Sequence, residues 1–188
     1  MNAMAQVAQR MTADEYLAMP YDGRRTDLVE GEVVVHEPGR LHQVVLLRII
    51  RALDRWACAS QQRGAVSLPL DVKLDERNVF GPDLLWYADG CVPRRDDPRP
   101  YPLPGLAVEV RSPSTWRYDI GAKKAAYERA GLAELWLVDT IASEIIVFRR
   151  SSPKAPRFDV ALELTVDDEL TSPQLPGFAL ALATLFAD

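Results

Sequence analysis

The chain has little of what staples or clips a small domain. It carries two cysteines, Cys58 and Cys91, and two histidines, His36 and His42, in 188 residues. Two isolated cysteines make neither a disulfide framework nor a metal knuckle, and the plain expectation is a cytoplasmic protein. No apolar run approaches the roughly 18 residues of a membrane-spanning helix. The opening MNAMAQVAQRM lacks the apolar core of a signal peptide, and residues 1–10 read as a short disordered lead. No HExxH pair and no phosphate-binding glycine loop occur, which disfavours a zincin and a P-loop nucleotide hydrolase. There is no internal repeat and no low-complexity tract. The net charge of −5 argues against a surface that grips nucleic acid everywhere, but it allows an acidic, metal-binding cleft with a local basic rim.

What is present is apolar sequence in short, punctuated runs. Hydrophobic residues make up 48% of the chain, enough for one domain over residues 11–188 with a real core. Thr12-Ala13-Asp14-Glu15 is a capping box opening a short helix towards Met19. Asp27 to Val35 reads as a hairpin turning at Glu30-Gly31. From His42 to Ser60, Leu46, Ile49, Ile50, Leu53 and Trp56 recur at helical steps, with Arg48, Arg51 and Arg55 on another face. Strand-like runs follow at Ala65–Leu74, Asp83–Tyr87 and Leu106–Val110, and Pro69 marks an edge or bulge in the first. The stretch from Asp89 to Pro104 is rich in proline and arginine and reads as an irregular basic rim. Thr115 to Ala130 reads as a helix ended by Gly131. Leu135–Asp139 and Ile145–Phe148 form a hairpin, Ser151–Arg157 a polar loop, and Leu175–Phe186 a closing apolar segment with a short helix. Helices alternating with several strands predict an α/β fold, a mixed central sheet flanked by helices.

Two acids stand inside apolar runs: Asp83 in GPDLLWY and Glu109 in LAVEV. A carboxylate among Val and Leu is costly unless a metal ion or a lysine compensates it. Neighbouring strands would bring both acids to one divalent ion, and hard oxygen ligands suit Mg²⁺ or Mn²⁺. Just downstream, Asp119, Lys123 and Tyr127 are spaced by four on one helix face, with Lys124 about 100° round from Lys123. Two acids and a lysine are the equipment of metal-assisted phosphodiester cleavage. The same residues also read as a turn aspartate, an ion-paired glutamate and an ordinary Asp–Lys pair above a core tyrosine. The histidines belong to no nucleophile motif.

The motifs together carry a resemblance. MTADEYL at 11–17, TDLVEGE at 26–32, His42-Gln43, Pro82-Asp83, VEVRSPS at 108–114, Asp119-xxx-Lys123-xxx-Tyr127, Gly131-xx-ELWLVD and LPGF at 175–178 follow in an order and spacing similar to the Uma-two family. That family is a domain of unknown function assigned to restriction endonucleases within the PD-(D/E)XK nuclease superfamily. The resemblance spans Met11 to Phe186. It implies a restriction-endonuclease-like fold, Asp83 and Glu109 as metal ligands, and Lys123 as the catalytic lysine. Arg111 occupies the strand position where the superfamily usually places that lysine. Asp27 stands where relatives carry Glu, and His42 lines the same cleft. The implied activity is a Mg²⁺-dependent DNA endonuclease, with homodimerisation as a further expectation. The alternative is a nuclease fold that holds nucleic acid or protein without cutting.

Overall fold

The computed structural model describes residues 10–187; the expected N-terminal lead falls, but for Arg10, outside the described residues. Thr12 caps α1 (Ala13–Leu17) through the reciprocal Thr12–Glu15 box that the sequence announces. The first hairpin pairs β1 (Thr26–Val29) with β2 (Glu32–Val35), and Glu30 and Gly31 turn it with φ of 50° and 81°. Two successive left-handed residues match the right-handed twist of the strands, which is why a glycine sits there.

The run from Ala65 to Leu74 is not one strand. It divides into β3 (Ala65–Ser67) and β4 (Val72–Asp75), which join different sheets. Pro69 lies in the break, where its missing N–H breaks no ladder. β4 pairs with β5 (Asn78–Phe80), a short strand absent from the sequence reading, and β5 pairs with β1. This small sheet has the order β2-β1-β5-β4.

The larger sheet adds β6 (Leu84–Tyr87), β7 (Leu106–Val110), β8 (Glu134–Asp139), β9 (Glu144–Arg149) and β10 (Val160–Leu164) in the order β10-β9-β8-β7-β6-β3. Only β7 and β8 run parallel among its pairs, so the sheet is mixed as expected. Both faces of β7 and β8 are covered, hence their nearly unbroken apolar sequences. Val108, Val110, Trp136 and Val138 face α2 (Arg40–Cys58) through Val45, Ile49 and Leu53. The alternate residues Ala107, Leu135 and Leu137 face Ala126 and Tyr127. The closing segment contributes a small hairpin of β11 (Glu169–Leu170) and β12 (Leu180–Ala181), then α5 (Leu182–Leu185). Its Leu175, Phe178, Leu182 and Leu185 complete the core on the α2 side.

The helix expected over 115–130 is interrupted. α3 (Trp116–Tyr118) leads into a π-helical turn, Asp119–Lys123, before α4 (Lys124–Ala130) resumes and Gly131 ends it at φ 90°. Single π turns are uncommon and concentrate at functional sites. This one carries Asp119 and Lys123.

Candidate active site

Register alone places the two acids together. β6 and β7 pair as Leu84 with Val108 and Leu85 with Ala107, so Asp83 and Glu109 are the next rung, on the face away from α2. Asp83 is fixed on every side. Its Oδ2 accepts the Val110 N–H at 2.7 Å and lies 3.1 Å from His42 Nε2. Its Oδ1 accepts from Arg25 Nη1 at 2.5 Å, and the same guanidinium also donates to the Gly81 carbonyl.

Glu109 is 1% exposed. Its Oε1 lies 2.7 Å from Lys123 Nζ and accepts the Tyr127 hydroxyl at 2.7 Å. Lys123, also 1% exposed, donates to Asp27 Oδ2 at 2.8 Å and lies 3.1 Å from Asp119 Oδ1. Its ammonium sits 5.3 Å from the Phe80 ring centre. Asp27 is held further by the Gly81 N–H at 2.8 Å. His36 Nε2 is 2.9 Å from Asp27 Oδ2, close to the carboxylate but not in an aligned hydrogen bond. Thr115 Oγ1 donates to Asp119 Oδ2 at 2.9 Å.

The cluster therefore gathers Asp27, Asp83, Glu109 and Asp119 around two permanent cations, Arg25 and Lys123. The consequences for ionisation differ between the acids. Burial opposes the charge on Asp27, but Lys123, His36 and Arg25 outweigh it and hold the carboxyl well below its ordinary range. Asp83 is likewise held low against burial, by His42 and Arg25. Glu109 goes the other way. Burial raises it and the neighbouring Asp119, Asp83 and Asp27 add to this, so that despite Lys123 it reaches about 7. Burial also raises Asp119. The three surrounding carboxylates keep Lys123 firmly protonated although burial works against it.

The donor set suits a hard divalent cation. Mg²⁺ is commonly bound by one or two carboxylates, with water and substrate phosphate completing its shell. Asp83 and Glu109 could supply two such ligands, and the excess of carboxylate over fixed positive charge favours a cation there. Among the described residues no group of three or more acids, histidines or cysteines is arranged to ligate one ion by itself. The remaining positions would then belong to water and substrate.

The structure unites Asp83, Glu109, Lys123, Asp27, His42 and Asp119. Arg111 it places elsewhere: the guanidinium pairs with Asp139 at 2.7 Å and lies over the Trp116 ring. Lys124 likewise turns aside, towards Glu128 and the Phe148 ring. Sequence reasoning passed over the parts that Arg25, His36 and Tyr127 play in the cluster. Tyr127 left a signal in its four-residue spacing from Lys123, and His36 in its place at the end of the hairpin that carries Asp27; Arg25 left none.

Comparison with known proteins gives the family and the fold. The family model Uma2, described as "Putative restriction endonuclease", matches residues 13–183. A solved structure described as a "putative nuclease belonging to DUF820 from Anabaena variabilis ATCC 29413" superposes with a TM-score of 0.77. It is 17% identical, and the match covers 94% of this chain and 98% of that one. No match was found among curated proteins.

Proposed function

The chain belongs to the Uma2 family, and from that premise we propose that it is a divalent-metal-dependent endonuclease that hydrolyses phosphodiester bonds in DNA. The observation that carries the reading is the buried cluster of four carboxylates around Arg25 and Lys123. A packed apolar core would be cheaper for stability alone, because buried ion pairs seldom repay their desolvation. A shortage of positive charge beside two adjacent strand acids is what a Mg²⁺ or Mn²⁺ site requires.

Asp83 and Glu109 would hold the ion. When bound, it would polarise the scissile phosphate and lower the pKa of a bound water. Lys123 keeps Glu109 Oε1 in place and leaves positive charge beside the reacting phosphate. Tyr127, one turn further along the same helix, fixes the same oxygen with its hydroxyl. His42 and the Val110 N–H aim Asp83 Oδ2. Glu109, which burial pushes up to about 7, would hold a proton at Oε2, because Oε1 already faces the Lys123 ammonium and accepts from the Tyr127 hydroxyl.

Among the described residues no helix is long and apolar enough to cross a membrane. One site per chain cuts one strand at a time, and a homodimer would present two sites to the two strands of a duplex.

The test is nicking of a supercoiled plasmid with Mg²⁺ or Mn²⁺, with EDTA, and with the Asp83→Asn and Glu109→Gln variants. Metal-dependent relaxation lost in both variants supports the reading. One observation favours a second reading, a module that binds nucleic acid without cutting: Arg25 already occupies Asp83 Oδ1. Retention of plasmid with no nicking under any metal would decide for it.

A further inference from the structure

Beside the acids lies a cavity of about 430 Å³. It shares two wall residues with the site. Arg25 lines it and reaches Asp83 Oδ1, and Gly81 lines it two positions before Asp83. We propose that this cavity holds one unpaired nucleotide of the substrate, its base stacked on Tyr21, so that the protein acts on single-stranded or locally opened nucleic acid. The proposal deepens the nuclease reading and rests on it for the identity of the polymer.

The chemistry of the wall carries the argument. Three tyrosine rings and three guanidiniums surround the space: Tyr16, Tyr21, Tyr101, Arg24, Arg25 and Arg99. Tyr16 spends its hydroxyl on the Thr26 carbonyl at 2.7 Å and offers the cavity only its ring. Arg99 is braced on Asp71 at 3.0 Å and on the carbonyls of Leu17 and Met19, so that wall is preformed. Tyr21 is 81% exposed, and no aromatic partner covers its ring among the described residues. An exposed ring beside guanidiniums is a stacking platform for a base with a phosphate attached.

Bare phosphate fits less well. Each guanidinium already faces a carboxylate, Arg24 on Asp22, Arg25 on Asp83 and Arg99 on Asp71. A small anion would have to displace these, whereas a base gains from the ring and from the mixed donors and acceptors around it. The volume lies in the ~300–1,000 Å³ range of small-molecule sites, room for one nucleotide and not for a duplex. A base stacked inside a duplex shows no face to a protein ring, so the occupant must be unpaired.

The experiment is a binding titration by fluorescence anisotropy, in EDTA, with a short end-labelled oligodeoxynucleotide alone and annealed to its complement. The full-length chain is compared with Tyr21→Ala and Tyr21→Phe. The expected result is tighter binding of the single strand, weakened about tenfold by Tyr21→Ala, the effect of one lost base–aromatic stack, and retained by Tyr21→Phe. Equal or tighter binding of the duplex overturns the proposal, and so does a Tyr21→Ala variant that binds the single strand like the parent. Tyr21 is on the surface, so the substitution leaves the fold in place. Binding in EDTA is independent of cleavage. A protein that nicks plasmid but shows no strand preference defeats this inference alone. One that prefers single strands but never cuts defeats only the nuclease reading.

Discussion

Lys123 Nζ lies 2.7 Å from Glu109 Oε1, and the two side chains are both 1% exposed. The π turn Asp119–Lys123 makes the contact possible by setting this lysine over the end of β7. A buried cation with three carboxylate neighbours cannot be removed cheaply. Lys123→Met should destabilise the protein by ~3–5 kcal/mol at neutral pH, the usual result of orphaning buried charges. It should also abolish nicking. Lys124→Ala, whose ammonium lies against Glu128 and Phe148, should cost no more than about 1 kcal/mol and keep activity. Urea unfolding with plasmid assays on both variants checks this; an inactive Lys124→Ala beside an active Lys123 variant would reverse the assignment.

Glu109 makes the free protein less stable as pH rises. Burial and the surrounding carboxylates push its folded pKa from an ordinary 4.5 up to about 7, so between these values the folded state holds the extra proton. The stability due to that proton is complete below about 4.5 and is lost as pH rises to about 7. Asp27 and Asp83, held low, act oppositely and only in acid. Melting temperature followed from pH 5 to 8 in EDTA should therefore decline more in the parent than in Glu109→Gln. Identical slopes would remove Glu109 from the account.

Divalent metal should cancel that decline. A ligand that binds only the folded state stabilises by ~2.7 kcal/mol at a hundredfold excess over its dissociation constant. Mg²⁺ or Mn²⁺ should raise the melting temperature more at pH 8 than at pH 5, because Glu109 must give up its proton to ligate. No shift at either pH, in parent and Asp83→Asn alike, would refute the metal site.

Asp83 and Glu109 should respond differently to neutralisation. Glu109→Gln relieves crowded carboxylates and should be neutral or stabilising. Asp83→Asn leaves the Arg25 guanidinium without its counterion and should cost ~3–5 kcal/mol. Adding Arg25→Met to Asp83→Asn should recover part of that loss; a double-mutant cycle with no coupling would show that the 2.5 Å pair contributes nothing.

Much of this was legible in the sequence because it is local. The Thr12–Glu15 box, the Glu30-Gly31 turn, the helically spaced apolar run of α2 and the Gly131 cap are decided by residues within a turn or two of one another. The apolar setting of Asp83 and Glu109 was enough to mark them, since a carboxylate in a covered strand demands a partner. The partners themselves were decided by tertiary structure. Arg25 reaches Asp83 from the entry to β1, across a distance in sequence that no spacing rule covers, whereas His36 meets Asp27 across the β1–β2 hairpin, whose register the Glu30-Gly31 turn sets. Arg111, a candidate by strand position, was drawn off by Asp139, a residue on the neighbouring β8. The split of Ala65–Leu74 between two sheets depended on which strands were available to pair, beyond anything Pro69 alone could specify. Short-range sterics and hydrogen bonds write themselves into neighbouring residues. Charge compensation in a buried site is set by whichever groups the folded chain brings within a few ångströms.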